Sequence, residues 1–203
     1  MAHGKLQITN YQLHIRDDVR ILQLSSPDAT NRLTRACIRE LESAVRELAD
    51  DPCPLILTGN SRFFSAGADL HEIADLRGPA ALEFSRMGQA LMNALAAFPA
   101  PVCAAVNGYC MGGGLDLALA CHYRVASPHA VFGHRGAALG LITGWGGTQR
   151  LPRLVGKASA LRMFVAAEKL SAPEALRLGL LEALAEDPVS WAVAKLKQSA
   201  VGT

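Results

Sequence analysis

The strongest constraint on the fold is an alternation of short apolar runs with helical patterns along residues 50–126. Residues 54–58 and 102–106 are almost continuously apolar, which is typical of strands buried on both faces of a sheet. Helical periodicity covers residues 35–49 and 79–98, and proline at position 79 suits a first helical position. Strands that alternate with helices pair in parallel, so the sequence predicts an α/β fold.

Strands are predicted before this region and helices after it. Residues 5–16 and 19–24 favour two strands joined by Asp17-Asp18, a hairpin-like turn signal. After Gly147 the apolar spacing predicts helices over residues 147–154, 157–168, 171–178 and 189–200. We therefore expect an α/β core over residues 1–150 and a helical C-terminal portion over residues 151–203.

Composition excludes several classes of protein. Half of the 203 residues are hydrophobic, which excludes general disorder, and a net charge of +2 gives no case for nucleic acid or an anionic membrane as partner. The five cysteines form no C-x-x-C pair, which favours a reduced, cytoplasmic setting. No apolar run is long enough for a membrane span, and the N-terminal residues contain no signal-peptide core.

Motifs for other chemistries are missing from the sequence. There is no G-x-x-x-x-G-K-[ST] phosphate loop and no G-x-S-x-G nucleophile turn. The histidines lack metal-ligand spacing, so His71 and His134 are interpreted as surface or hydrogen-bonded residues. We expect no metal and no permanently bound cofactor.

Two loops of small residues follow predicted strands and are the best candidates for a site. The first lies in a predicted loop over residues 59–70 and reads Phe63-Phe-Ser-Ala-Gly-Ala-Asp-Leu70; the second is Asn107-Gly-Tyr-Cys-Met-Gly-Gly-Gly-Leu-Asp-Leu117. Three consecutive glycines at a strand-to-helix turn let the backbone approach a ligand closely. The first N–H groups of the helix have no partner inside the helix, and its dipole favours negative charge there. The pattern predicts a site for an oxygen that gains negative charge, such as an activated carbonyl.

Asp116 lies three residues after Gly113, on the same face of the predicted helix. A carboxylate one turn from such a donor is suited to move protons on a carbon beside the bound carbonyl. The same residues also fit a packing turn with a solvated Asp116, and local physics leaves both interpretations open.

Residues 63–70 and 107–126 resemble the two signature segments of the crotonase (enoyl-CoA hydratase/isomerase) superfamily. The stretches from Phe132 to Gly156 and from Ser171 to Leu180 resemble later segments of that family, in the same order. The resemblance implies a right-handed spiral of ββα units, usually a homotrimer or hexamer, that binds acyl-CoA thioesters. CoA then enters as part of the substrate.

The resemblance also implies roles for individual residues. The backbone N–H groups of Ala68 and Gly113 correspond to the oxyanion donors, and Asp116 to a catalytic acid. The segment that would hold CoA comprises Arg62, Ser65, Ala66, Gly67, Ala68, Asp69 and Leu70. Arg62 fits a CoA phosphate contact and an exposed arginine without a partner equally well. The pocket wall is expected from residues 71–90.

The sequence departs from the family pattern at three places. Gly136 stands where hydratases carry their second glutamate, and Gly144 stands where some isomerases carry an additional acid. His134 and Arg135 are the nearby candidates to replace them. About twenty residues follow Glu182, fewer than the family usually has, so we expect a shortened helical end and a pocket cover that is absent or comes from a neighbouring subunit.

Two functional hypotheses remain from the sequence. The first is an enoyl-CoA hydratase/isomerase-type enzyme in which Asp116 is the single proton-transfer residue. Isomerisation is favoured over hydration, because one carboxylate can take a proton and return it elsewhere. The alternative is a catalytically inactive homologue that binds acyl-CoA in a binding or assembly role.

Overall fold

A computed structural model describes residues 10–201 of the protein, with side chains to residue 198. The strands in chain order are β1 (Tyr11–Arg16), β2 (Val19–Leu24), β3 (Arg32–Leu33), β4 (Leu55–Thr58), β5 (Phe63–Ser65), β6 (Gly67–Ala68), β7 (Val102–Val106), β8 (Tyr109–Met111), β9 (Tyr123–Ala126), β10 (Val131–Gly133), β11 (Lys169–Ser171) and β12 (Ala183–Leu184). The α-helices are α1 (Arg35–Ala49), α2 (Leu70–Ala74), α3 (Pro79–Ala96), α4 (Gly113–Ala120), α5 (Gly147–Val165), α6 (Ala172–Arg177) and α7 (Pro188–Val201). A short 3-10 helix covers Arg135–Leu139.

The strands form two main sheets that the chain visits in turn. The larger sheet has the order β1-β2-β4-β7-β9-β12, and the smaller has the order β11-β10-β8-β5. The chain runs through β7 in the larger sheet, β8 in the smaller and then α4; β9, β10 and α5 repeat this pattern. This repeated ββα unit and the parallel pairing of β4, β7 and β9 confirm the predicted α/β fold of the crotonase type.

The core lies between the larger sheet and the helices because the central strands carry apolar residues on both faces. All residues of β4 and β7 are buried, as their continuous apolar sequences predict. One cluster includes Leu57, Phe64 and Leu117, and a second on the other face of the sheet packs α7 against β4, β7 and β9. Helix α4 is buried along almost its whole length.

Several boundaries match the sequence predictions. The hairpin of β1 and β2 is confirmed, with left-handed φ angles of 55° and 60° at Asp17 and Asp18; predicted strand residues 5–9 lie outside the described residues. Helix α1 has the predicted bounds, and Thr34 caps it by accepting a hydrogen bond from the Cys37 N–H. The two predicted helices between residues 147 and 168 are also present, because α5 is interrupted at Gly156.

Other expectations of the sequence were wrong. The predicted loop over residues 59–70 contains β5 and β6, which pair with β8 and β3. The C-terminal portion contributes β11 and β12 to the two main sheets as well as helices. Strands of two or three residues are too short for a periodic signal. A division at residue 150 stays a prediction, and α5 runs across that position.

Candidate active site

Six of the nine predicted site residues line a cavity of about 580 Å³. The N-terminal end of α4 and the loop around β6 form one side, through Ala66, Gly67, Ala68, Gly113 and Asp116. The rest of the lining is mainly apolar. Its side chains include Leu70, Ile73, Leu76, Phe84, Leu141, Ile142 and Phe164. The expectation that residues 71–90 supply the wall is therefore only half correct, because residues 134–145 supply much of it.

The two small-residue loops pack against each other. A Cβ atom on Gly67 would lie 2.6 Å from the Met111 carbonyl oxygen and 3.1 Å from the Gly113 nitrogen. A Cβ atom on Gly113 would lie 3.3 Å from the Ala68 nitrogen. Glycine at both positions lets the N–H groups of Ala68 and Gly113 approach one another at the cavity, as an oxyanion site requires.

Ser65 shapes the first loop from inside the protein. Its buried hydroxyl donates to the Asn31 carbonyl at 2.6 Å and accepts from the Gly67 N–H at 3.1 Å. The Asn31 amide in turn donates to the carbonyls of Phe63 and Phe64 at 3.0 and 3.1 Å. These bonds occupy the backbone groups on the inner side of the loop. The Ser65 hydroxyl is thus engaged within the fold and does not line the cavity.

The remaining predicted CoA residues divide into two groups. Ala66, Gly67, Ala68 and Leu70 line the cavity. Asp69 instead caps α2, where its side chain accepts from two backbone N–H groups, and it pairs with Arg32 at 3.3 Å. Arg62 is exposed outside the cavity lining, and its guanidinium lies 5.4 Å from the centre of the Phe63 ring.

Asp116 is fully buried on α4 and lines the cavity, so the interpretation with a solvated Asp116 is wrong. The Thr143 hydroxyl donates a hydrogen bond to Oδ2 of Asp116. Burial raises the pKa of this carboxyl to about 7. Hydrogen bonding by Thr143, the charge of Arg150 and the backbone N–H groups of Trp145 and Gly147 oppose that rise in pKa. A carboxyl with this pKa can both accept and return a proton near neutral pH.

His134 approaches the other oxygen of the same carboxyl. Its Nε2 lies 3.5 Å from Asp116 Oδ1, and neither atom has a hydrogen-bond partner within the part of the chain that the structure describes. Burial lowers the pKa of His134 to about 4, so the imidazole is neutral at pH 7. Arg135, the other proposed replacement for the missing acid, is exposed at the edge of the cavity.

Gly136, which stands where the resemblance places the second glutamate of hydratases, also lines the cavity. A Cβ atom there would lie 2.7 Å from the Leu141 carbonyl oxygen. The Leu141 N–H donates to the Gly136 carbonyl at 2.8 Å, which closes the turn after the 3-10 helix. The local backbone is therefore built around glycine at this position.

Trp145 and Gly147 were not found from the sequence. The Trp145 indole packs against Gly88 of α3 and Gly113 of α4, and a Cβ atom on either glycine would collide with the ring. Its Nε1 donates to the Phe84 carbonyl at 3.3 Å. A Cβ atom on Gly147 would collide with Asp116 Oδ1. Both residues lie in the stretch from Phe132 to Gly156 that resembles a family segment, but that resemblance gave neither of them a role.

Within residues 10–201 no group of three histidine, cysteine or acidic residues has the proximity to hold a metal ion. No helix in the same range has the length and hydropathy needed to cross a membrane. All five cysteines are free thiols.

Solved structures confirm the arrangement of the chain. The protein superimposes on DspI of Pseudomonas aeruginosa with a TM-score of 0.88 and 35% identity, covering 98% of this chain and 84% of that one. It superimposes on an enoyl-CoA hydratase of Bacillus anthracis with a TM-score of 0.82 and 32% identity, covering 95% and 74% of the two chains.

Sequence comparison gives the same result. A crotonyl-CoA hydratase of Syntrophomonas wolfei is 39% identical over 85% of this chain and 67% of its own length. A probable enoyl-CoA hydratase of Bacillus subtilis is 42% identical over 83% of this chain and 66% of its own length. The chain thus spans about two thirds of these relatives. The family model described as enoyl-CoA hydratase/isomerase matches residues 14–199. The chain therefore belongs to the enoyl-CoA hydratase/isomerase family, within the crotonase superfamily.

Proposed function

We propose that the protein is an acyl-CoA enzyme in which Asp116 is the single proton-transfer residue and double-bond isomerisation is favoured over hydration. The observation that carries the proposal is that Asp116 is the only carboxylate among the described residues that line the cavity. Hydration uses one group to activate water and another to deliver a proton. Migration of a double bond needs one group to remove a proton and return it to another carbon.

In this reaction the thioester oxygen accepts hydrogen bonds from the N–H groups of Ala68 and Gly113. Asp116 takes a proton from Cα of a 3-enoyl thioester, and the electron pair of that C–H bond forms a dienolate with its negative charge on the oxygen. The same carboxyl returns the proton to Cγ, which gives the 2-enoyl thioester with no net change in atoms. The two N–H groups stabilise the dienolate more than the neutral substrate, which lowers the barrier.

The apolar side of the cavity supports an acyl chain as the bound group. Leu70, Ile73, Leu141 and Ile142 offer hydrocarbon surface in the same cavity as the proposed oxyanion donors. We propose that CoA is held along residues 65–70 as part of the substrate and that no cofactor is permanently bound. A homotrimer or hexamer in the cytoplasm completes the proposal; free thiols at all five cysteines support the reducing compartment.

The test is incubation of the protein with a 3-enoyl-CoA and, separately, a 2-enoyl-CoA in deuterated water. We expect the 3-enoyl-CoA to be converted with exchange at Cα and Cγ, and the 2-enoyl-CoA to be hydrated far more slowly. Asp116→Asn should abolish exchange. Asp75→Asn is the matched control because Asp75 is an exposed aspartate outside the cavity.

The inactive acyl-CoA-binding homologue is the competing function, and the glycines at positions 136 and 144 favour it. Tight binding of an acyl-CoA without deuterium at either carbon would contradict the enzyme and support this alternative. Ala68→Pro removes one proposed oxyanion donor, and we expect about 100-fold slower exchange. Unchanged exchange in that variant would contradict the oxyanion assignment.

A further inference from the structure

Asp116 and His134 are the two residues of the cavity lining that each have a buried side-chain atom without a hydrogen-bond partner among the described residues. Asp116 Oδ1 and His134 Nε2 both lack a hydrogen-bond partner among the described residues, and they face each other across 3.5 Å. The nitrogen and oxygen atoms of an N–H···O hydrogen bond are usually about 2.7–3.2 Å apart. The separation of 3.5 Å is therefore slightly longer than a hydrogen bond. Buried polar atoms without partners are costly, and their presence in a site calls for a functional explanation.

The surroundings hold both side chains in this arrangement. The Thr143 hydroxyl bonds Asp116 Oδ2, which leaves Oδ1 on the side of the imidazole. The His134 ring packs on the Phe164 ring, with 5.1 Å between the ring centres. A Cβ atom on Gly147 would lie 3.0 Å from His134 Nε2, so the glycine leaves the space between the two groups open.

We propose that His134 is a positioning residue for Asp116: its neutral imidazole donates the Nε2 proton to Oδ1 of the ionised carboxylate and so keeps that carboxylate charged and oriented in the cavity. This extends the proposed function, because a proton-transfer role for Asp116 requires an ionised form of a carboxyl that is fully buried. Thr143 donates to Oδ2, the backbone N–H groups of Trp145 and Gly147 further favour the carboxylate, and His134 supplies the side-chain donor for Oδ1. The imidazole moves closer by about 0.5 Å to reach ordinary hydrogen-bond length.

Neutral histidine is chemically suited to this part. Its Nε2 is a donor in one tautomer and an acceptor in the other, so it can also accept from the carboxylic acid after Asp116 has taken a proton. The other groups whose charges interact with Asp116 are Arg150 on α5 and the thiol of Cys110 on β8. Arg150 favours the carboxylate from a distance but makes no direct hydrogen bond to it among the described residues.

The position of His134 explains how one protein can retain proton transfer without an acid at position 136. His134 is two residues before Gly136 and lies in the same cavity wall. It acts on the retained carboxyl and does not replace the absent one. We therefore expect His134 to affect the rate of isomerisation through the ionisation of Asp116. We do not expect it to supply the second acid that hydration uses.

The test measures ionisation directly, so that it succeeds or fails whether or not the protein turns over acyl-CoA. Aspartate is labelled with 13C at the side-chain carboxyl, and the Asp116 signal, assigned by its loss in Asp116→Asn, is titrated by NMR. His134→Phe removes the ring nitrogens and keeps a planar ring against Phe164. We expect the pKa of Asp116 to rise by roughly one unit or more, because a hydrogen bond to the carboxylate is lost.

His134→Gln and His71→Phe are the comparison variants. The glutamine amide can donate to Oδ1, so the pKa of Asp116 should return toward its wild-type value. His71 is exposed outside the cavity, and its replacement should leave the titration unchanged. An unchanged pKa in a folded His134→Phe protein would overturn the proposal and identify His134 as a packing residue. A rise in the glutamine variant as large as in the phenylalanine variant would overturn the hydrogen-bond explanation.

Discussion

Replacement of Asp116 by asparagine should stabilise the protein, and the gain should increase with pH. The folded carboxyl has its pKa raised from 3.8 to about 7, chiefly by burial. Between these two values the folded state holds a proton that the unfolded chain has released. The free energy of unfolding therefore falls as pH rises through this window, because the stabilisation is complete below the unfolded pKa and lost at the folded pKa. Asparagine has no such titration.

The expected size follows from the width of that window. Each pH unit in which the states differ by one proton changes the free energy of unfolding by about 1.4 kcal/mol. From pH 5 to pH 8 the difference between Asp116→Asn and wild type should thus grow by about 2–3 kcal/mol. His134 titrates in the opposite sense, since its lowered pKa costs stability as pH falls below 6.5 toward 4. Because His134 faces Asp116 across 3.5 Å, this contribution is not the same in the two proteins, so the part of the rise that lies above pH 6.5 is the part assigned to Asp116 alone.

Urea unfolding at pH 5, 6, 7 and 8 measures this difference, provided that the dependence on urea concentration is the same for both proteins. Asp75→Asn provides the control because its side chain is exposed, and its effect should not vary in this way. A difference between Asp116→Asn and wild type that is equal at pH 5 and pH 8 would refute the reasoning. So would a variant that is less stable than wild type at pH 8.

Three further substitutions test the same site. Gly147→Ala introduces a methyl group against Asp116 and 3.0 Å from His134 Nε2, and we expect a loss of about 1–3 kcal/mol in urea unfolding; unaltered stability would contradict the packing described. Thr143→Val removes a donor to Asp116, so the acidic limb of the pH profile for deuterium exchange should move to higher pH, whereas Thr143→Ser should keep it in place. Gly136→Glu should destabilise the fold, because its Cβ would lie 2.7 Å from a neighbouring carbonyl oxygen, yet increase hydration of a 2-enoyl-CoA relative to Gly136→Gln. Equal hydration by these two variants would exclude the second carboxylate as the missing element.

The parts of the site that could be predicted from sequence are those specified by local backbone chemistry. Glycines 112–114 follow a strand and begin a helix, and that alone indicates close backbone approach and unpaired N–H groups. The longer strands and helices around them were equally visible because they have a clear period, whereas the short strands β5, β6 and β8 were not. Asp116 was identified by its spacing from Gly113 within the same helix.

The environment of Asp116 could not be predicted, because it depends on contacts between distant segments. Thr143 is 27 residues from Asp116 in sequence, and its hydroxyl reaches the carboxyl only once the segment after β10 folds over α4. The contact with His134 has the same origin. A histidine after a short strand has no periodic or motif signal, so its burial and its distance from Asp116 emerge only from packing.

The packing of Trp145 between α3 and α4 limits which positions around the cavity can change independently in sequence. The indole fits because positions 88 and 113 are both glycine, so these three positions form one mutational unit that must change together. Leu139, Leu141 and Ile142, in the segment before Trp145, are exposed at the cavity and carry no comparable constraint. Substitutions in that segment can therefore alter the cavity lining while the packed tryptophan preserves the geometry around Gly113.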